Sequence, residues 1–362
     1  MINVLFVSTY LARNGTEAFM MNVFRNLDRE KYHVDFLIFS RKGIVYEEEI
    51  KKSGSSVFVL PPRKAGWKYY KSLKSFFGKN KYDVVHWCAC SCTSIAPILY
   101  AYKNNIPVRI VHSHNSNCAG IHNKLLHFLL RPLANKMSTD RLACSKKAAK
   151  WFFSDLDARV LTNGILVDLY SRDDKLRQCK RMELSINNNT VIVGHVGRFN
   201  PVKNHKKIIE VFAEYIKIRP NALLMLVGTG DLESVVKRQV DEFGLTQKVL
   251  FMGERDDVPM LLQTMDCFLM PSLFEGLPFV LVEAQAASLP CLVSNTVDPQ
   301  AKILESFQFL DLNLPAKNWA YCIDNMLSFK STNGATKVKE SGFSILDTTS
   351  ILCSIYDKSI NF

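Results

Sequence analysis

The sequence predicts an α/β protein of two doubly wound domains, each a parallel sheet covered by helices. Three observations carry that prediction. Short, β-branched-rich runs alternate with helical patterns along most of the chain. In both halves the opening strand, Asn3 to Ser8 and then Thr190 to Val196, runs into a glycine-containing loop followed by a helix. The length of 362 residues, 48% hydrophobic and 22% charged, provides for two cores of ordinary size. A polar, charged stretch over 170–190 sets the expected boundary. The divisions are 1–187, 188–340 and a terminal helical segment 341–362.

Composition narrows the setting. No run of 18 apolar residues exists, which excludes a membrane-spanning helix from the reading. The start, MINVLFVSTY, lacks a basic n-region and reads as a first buried strand rather than a signal peptide. Ten cysteines without such a signal suggest free thiols in a reducing cytoplasm. The net charge of +12 is uneven: residues 1–185 hold 30 Lys and Arg against 15 Asp and Glu, or +15, leaving −3 for the remainder. A basic half fits a polyanionic partner such as an anionic membrane surface, a lipid-diphosphate acceptor or a nucleic acid.

Along the first half, NVLFVS is the opening strand, and apolar residues near 19, 20, 23, 24 and 27 mark the helix behind it. Gly15, between them, lets backbone approach a phosphate, and the helix N-terminus adds N–H donors. A plain strand–helix turn fits the same glycine. Strands follow at His33 to Phe39 and Val57 to Leu60. Residues 61–83 then carry seven Lys and Arg among Trp67, Tyr69, Tyr70, Phe76 and Phe77. Two readings fit: a basic helix on a membrane surface, or a solvated helix packing its aromatics on the sheet. Asp83 to Trp87 is a strand, and Cys88, Cys90 and Cys92 after it read as small buried thiols rather than metal ligands. Pro107 to Ser113 is a strand that places His112 at its C-terminal end, where open α/β sheets bind ligands, with His114 just beyond. Lys124 to Met137 is a helix with a large apolar face, by default packed on the core but also a second possible membrane-facing element.

The second half opens with the strand TVIVGHV, then Gly197, Arg198 and, five residues on, Lys203, ahead of a helix over 205–218. Two cations in a strand-to-helix loop suit a diphosphate, and isolated surface charge fits them too. Strand and helix then alternate through Leu223 to Gly230, Val249 to Gly253, Asp266 to Met270 and Cys291 to Ser294. Between the last two strands lies PSLFEGLPFVLVEAQAA. Glu275 sits in a turn marked by Gly276 and Pro278. Glu283 sits in an apolar helix, Phe279 to Ala287, with Pro278 expected at its first position. The free N–H groups of that first turn would hold an anion. An anion between two carboxylates is explained by a sugar nucleotide, whose diphosphate takes the helix end and whose hydroxyls take the carboxylates. Beyond Pro299, Lys330 to Lys337 reads as polar loop and Ile345 to Tyr356 as a terminal helix.

These motifs together resemble the retaining glycosyltransferases of family 4. GR-x4-KN, LVGTG, MPSLFEGLPFVLVEAQA and LPCLVS stand in that family's order and spacing, and NGTEAFMMNVFRNLD with HSHN is similar to its capsular and exopolysaccharide branch. The resemblance implies the GT-B fold, two Rossmann-like domains facing a central cleft, with the terminal helix crossing back to the first. It implies that Glu283 holds ribose hydroxyls and Glu275 orients the sugar. The amides from Gly276 through Leu277, Phe279 and Val280 would hold sugar and phosphate oxygens, and the loop Glu254 to Val258 would lie near the base. Arg198 and Lys203 would stabilise the departing diphosphate without a metal, and His112 would complete the site from the opposite domain. The family's first loop usually carries two adjacent glycines; here it is Asn14-Gly15, and Asn tolerates the left-handed conformation.

The expected activity is transfer of a sugar from a nucleotide diphosphate, UDP foremost, to a lipid-linked or oligosaccharide acceptor of cell-surface polysaccharide, with retention. No cofactor or metal is expected. The expected setting is the cytoplasm, peripheral to the inner face of the membrane, and no nucleic-acid motif accompanies the basic patch. Two alternatives stay open: a nucleotide-sugar epimerase of the same fold, and a non-enzymatic polyanion-binding protein.

Overall fold

The computed structural model describes residues 1–12, 14–118, 120–154, 156–329 and 333–361. Thirteen strands and fourteen helices were assigned among them. The first sheet holds β1 (Ile2–Val7), β2 (Tyr32–Ile38), β3 (Val57–Val59), β4 (Val84–Ala89), β5 (Val108–Ser113), β6 (Asp140–Ala143) and β7 (Arg159–Val160). All are parallel, in the order β3-β2-β1-β4-β5-β6-β7. Between them run α1 (Gly15–Asn26), α2 (Glu47–Lys52), α3 (Trp67–Lys79), α4 (Ala96–Lys103), α5 (Ile121–Met137) and α6 (Lys146–Phe153). Strand order reverses between β1 and β4, which makes the C-terminal ends of those strands the binding crevice of this sheet.

After α7 (Asp174–Glu183), a second parallel sheet holds β8 (Ile192–Val196), β9 (Leu223–Val227), β10 (Val249–Gly253), β11 (Cys267–Met270), β12 (Cys291–Ser294) and β13 (Phe307–Leu310), ordered β10-β9-β8-β11-β12-β13. Its helices are α8 (His205–Ile218), α9 (Glu233–Glu242), α10 (Val258–Thr264), α11 (Phe279–Ala286), α12 (Ala316–Met326) and α13 (Gly334–Glu340). The period of two along each strand builds two cores. Val193, Leu224, Leu226 and Leu269 face Ile208, Phe212 and Trp319, whereas Ile192, Met225, Phe268 and Met270 face Leu261, Leu262 and Leu281. Here the order reverses between β8 and β11.

The chain divides at Gly164 and Ile165. One compact unit is Met1–Gly164 with Ile345–Phe362, and the other is Ile165–Ser344. The expected division at 187/188 falls inside the second unit. The polar stretch that suggested it is largely α7, and its charges are spent internally. Arg181 is buried, with donors to Thr264 and Thr190 carbonyls and 2.7 Å from Asp266 Oδ2. Arg177 donates to the Gln263 and Met265 carbonyls and pairs with the same carboxylate. The terminal helix α14 (Ile345–Tyr356) packs on α1 in the first unit.

Other departures have local causes. Residues 330–332 of the expected polar loop lie outside the described residues, and from Gly334 the segment is α13, whose Val338 is buried. In α3, Tyr69, Leu73, Phe76 and Phe77 pack on the sheet, as the second reading expects, while Trp67 and Tyr70 stay exposed beside exposed lysines. Cys88 and Cys92 are buried, but Cys90 is exposed. The helix α5 packs on the core only in part: Leu130, Ala134 and Met137 join it, whereas Ile121, Leu125, Phe128, Leu129 and Leu133 are exposed, Ile121 at 80% and Leu129 at 67%.

Candidate functional site

Two loops of the second unit meet where its strand order reverses. One leaves β8 and carries Arg198 and Lys203; the other leaves β11 and carries Glu275. They are joined by backbone and side chain. The Leu273 N–H donates to the Val202 carbonyl at 2.8 Å, and the Asn204 amide donates to the Pro271 carbonyl at 3.0 Å. Asn204 adopts a left-handed conformation, φ 54° and ψ 48°, which turns the chain from a 3-10 turn into α8. Lys203 Nζ lies 2.7 Å from Glu275 Oε1, both side chains being mostly buried. Sequence reasoning gave these two residues separate ligands; the structure makes them an ion pair, so the cation and the carboxylate position each other.

Gly197 explains how Lys203 reaches that place. A Cβ there would come within 2.9 Å of His195 Nε2 and 3.2 Å of Lys203 Cε, so only glycine lets the lysine stem lie across the loop. Gly228 of the LVGTG motif plays the matching part behind it. It has φ +131°, and a Cβ would sit 2.3 Å from the Gly197 carbonyl oxygen. The loop is further pinned by Phe199 N–H to the Thr229 carbonyl at 2.9 Å. Arg198 is not held in this way. It is largely exposed, with Asp231 3.7 Å away as its ion-pair partner.

Glu283 lies one turn into α11. Its surroundings desolvate it and push its pKa up to about 7, against a hydrogen bond with Tyr170 that favours the charged form. Tyr170 was not singled out in the sequence; no local pattern links it to a residue so far along the chain. Pro278 is the N-cap of α11, in extended backbone, rather than its first helical residue, so the first helical amides belong to Phe279 and Val280. Gly276 is exposed, and a Cβ there would meet nothing. Leu277 instead anchors the loop against the cluster around Leu281 and Ala284. The loop beyond β12 supports the same turn: Ser294 and Thr296 both donate to the Ser272 carbonyl, at 2.6 and 2.7 Å, and Glu275 bridges Val297.

In the first unit Gly15 is the first residue of α1. Asn14 caps it in extended backbone, φ −127° and ψ 170°, so the left-handed tolerance of Asn is not used. Glu17 is buried there; desolvation raises its pKa, and Ser8 Oγ donates to its Oε1 at 2.9 Å. Ser8 and Thr9 also line a cavity of about 290 Å³ with Phe39, Arg63, Tyr69, Trp87 and the Cys88–Ser91 turn. Its hydroxyls, aromatic faces and nearby Arg63 and Lys64 suit a polyhydroxylated, anionic group. His112 is fully buried at the end of β5. Its Nδ1 lies 3.1 Å from His86 Nε2, and its Nε2 has no hydrogen-bond partner among the described residues. The His114 ring lies beside it, tilted by 38°, with ring centroids 4.1 Å apart. Burial holds all three imidazoles neutral: His86 and His114 are pushed down to about 3, and His112 well below its ordinary value.

Residues 13–169 match the family described as Glycosyltransferase Family 4, and residues 177–328 match Glycosyl transferases group 1. EpsF of Bacillus subtilis (strain 168), which carries a glycosyltransferase name, is 31% identical over 334 residues, covering 88% of this chain and 86% of that one. The chain belongs to glycosyltransferase family 4. The transferase is also similar to the UDP-Gal:alpha-D-GlcNAc-diphosphoundecaprenol alpha-1,3-galactosyltransferase of Escherichia coli, 31% identical over 239 residues, 62% of this chain and 60% of that one. Among solved structures, HepE of Anabaena in complex with UDP superposes with a TM-score of 0.79 at 18% identity, over 99% of this chain and 100% of that one. The two parallel sheets of the transferase are accordingly those of the GT-B fold. No helix among the described residues is long and apolar enough to cross a membrane.

Proposed function

We propose that the transferase moves a sugar from a UDP-sugar, with retention at the anomeric carbon, to a lipid-linked diphosphate acceptor in the assembly of a capsular or exopolysaccharide. The observation that carries this reading is the conjunction of Lys203, Glu275 and Glu283 at the strand-order reversal of the second unit. A lysine paired to a carboxylate gains a second anion at low cost. As a donor diphosphate arrives, Lys203 shares its three N–H groups between phosphate and Glu275, and Glu275 keeps acceptor capacity for sugar hydroxyls. The amides of Phe279 and Val280 add donors at the positive end of α11. Glu283 accepts from ribose hydroxyls. Arg198, loosely held, closes on the diphosphate once it is bound.

In this reading the bond from the anomeric carbon to the phosphate oxygen breaks, and the acceptor oxygen bonds to that carbon on the same face. The acceptor proton passes to the departing phosphate oxygen. Charge grows on that oxygen as the bond breaks, and the two cations stabilise it where other transferases use a metal. The first unit takes the acceptor: its cavity has hydroxyl, aromatic and cationic walls, and the E. coli relative named above acts on a diphosphoundecaprenol-linked sugar. The lipid end then calls for a membrane surface. The exposed face of α5, with Lys124, Arg131 and Lys136 on the same helix, and Trp67 with the α3 lysines supply apolar and basic contacts for an anionic bilayer.

The test is nucleotide release from a panel of UDP-sugars, with and without polyprenyl-diphosphate-linked sugars, followed by NMR of the product's anomeric configuration. Acceptor-dependent UDP release with an α-linked product from an α-linked donor is expected. Turnover of the donor to an epimer without acceptor would replace this reading with an epimerase.

A further inference from the structure

The residue that ends the terminal helix reaches a histidine under the first sheet. Tyr356 is fully buried, and its hydroxyl lies 2.7 Å from His86 Nδ1, across 270 residues of sequence. His86 Nε2 lies 3.1 Å from His112 Nδ1. His112 Nε2, at the far end, is buried without a partner among the described residues. Three polar groups thus form one line with a free end at the candidate substrate residue.

Protons can be arranged along that line in two directions. If Tyr356 donates to His86 Nδ1, then His86 carries its proton on Nε2 and donates to His112 Nδ1. His112 must then carry its own proton on Nε2. If the line runs the other way, His112 donates from Nδ1, His86 donates from Nδ1 to the tyrosine oxygen, and His112 Nε2 is a bare acceptor. The second arrangement strands the tyrosine proton, since His86 is the one hydrogen-bond partner of that hydroxyl among the described residues. The first strands no proton except the one on His112 Nε2. The second arrangement therefore leaves two groups unpaired, the tyrosine O–H and the bare His112 Nε2, against one in the first, and each unpaired buried group costs free energy, so the first direction is favoured. The rings stay neutral in a site this dry, so their tautomers are meaningful. Phe19 meets the His112 ring edge-on at 4.9 Å and fixes its plane.

We infer that Tyr356 and His86 are positioning residues that lock His112 in the Nε2–H tautomer, making it a neutral hydrogen-bond donor to a sugar or phosphate oxygen of the bound substrates. This rests on the reading that His112 takes part in the reaction. The line also gives the terminal helix a task beyond packing. Asp357, directly after Tyr356, holds it in register by accepting from Lys31 at 2.7 Å and from Tyr32 at 2.6 Å.

The test is long-range 1H–15N NMR of the ring nitrogens on protein labelled only at its eight histidines, with Tyr356→Phe and His112→Ala as variants. The His112→Ala spectrum identifies the His112 signals. In the unsubstituted transferase, a protonated Nε2 and bare Nδ1 are expected at His112. In Tyr356→Phe a second, Nδ1–H population should appear and kcat should fall about tenfold, the scale of one lost hydrogen bond, with the melting temperature lowered by only a few degrees. A bare Nε2 in the unsubstituted protein overturns the inference, as does Tyr356→Phe with the tautomer and kcat unchanged while His112→Ala is impaired. His112→Ala with full activity would instead overturn the role of His112 itself, leaving the tautomer result to stand or fall by the spectrum.

Discussion

On the proposed reading, Glu283 makes nucleotide-sugar binding pH-sensitive in a direction that can be worked out. Its carboxyl is raised to about 7 in the ligand-free chain because burial penalises the charge. The folded chain therefore binds more protons there than the unfolded chain does, and this group's contribution to stability is lost as pH rises toward 7. A ribose reverses the preference, since two hydroxyl donors need the ionised carboxylate. Affinity for a UDP-sugar should then follow the ionised fraction, about one-tenth at pH 6 and nine-tenths at pH 8, a factor of about nine or ~1.3 kcal/mol. Binding at pH 6 should release nearly one proton. The assay is isothermal titration at pH 6, 7 and 8 in buffers of different ionisation enthalpy, repeated on Glu283→Gln. A UDP-sugar is the ligand of choice, because the terminal phosphate of UDP itself titrates near 6. The two histidines of the second unit do not interfere: His205 is held at about 4 and His195 well below its ordinary value by burial. Affinity that is flat from pH 6 to 8, or a slope that persists in Glu283→Gln, would refute the reasoning.

Three further outcomes are expected. Lys203→Ala removes a charge-assisted contact worth about 1.5–3 kcal/mol, so UDP affinity by titration should fall about 10- to 100-fold, with kcat falling as well; unchanged affinity would take Lys203 out of the diphosphate site. Arg181→Met leaves Asp266 paired with Arg177 but takes the guanidinium donors from the buried Thr264 and part-buried Thr190 carbonyls, costing about 1–3 kcal/mol for each and lowering the calorimetric transition of the second unit by about 5–10 °C; a smaller shift than about 3 °C would mean that α7 is peripheral after all. Leu125→Ser with Leu129→Ser removes two exposed apolar side chains from α5, each worth about 1.5–3 kcal/mol when fully buried. Flotation with anionic liposomes at low salt should weaken at least tenfold, whereas equal flotation would locate any membrane contact elsewhere.

The candidate site could be read as one cluster because its residues lie on the loops and the helix that directly follow strands β8 and β11. Gly197, Arg198, Lys203, Glu275 and Glu283 each keep a fixed offset from a strand end, and β–loop–α order alone brings β8 and β11 side by side. The helices α8 and α14 agree with their sequence patterns to the residue. The rest depended on pairings that no local pattern encodes. Tyr170 meets Glu283 from an irregular segment, and Tyr356 meets His86 only because the chain's last helix returns to its first sheet. The stretch around α7 is polar enough to read as a linker; what makes it part of the second unit is a set of backbone carbonyls and Asp266 that receive Arg177 and Arg181. Periodicity revealed the apolar face of α5 but could not tell which of its residues the unit leaves exposed. Strands β7 and β13, of two and four residues, are too short to carry alternation.

The central claim is that Lys203, Glu275 and Glu283 form a nucleotide-sugar donor site. A thermal-shift screen against UDP, GDP, ADP and their sugars, on the unsubstituted transferase and on Glu283→Ala, tests it most directly. Stabilisation by the uridine series above the others, weakened by the substitution, is the predicted result. No shift with any nucleotide, or an equal shift in Glu283→Ala, would contradict it.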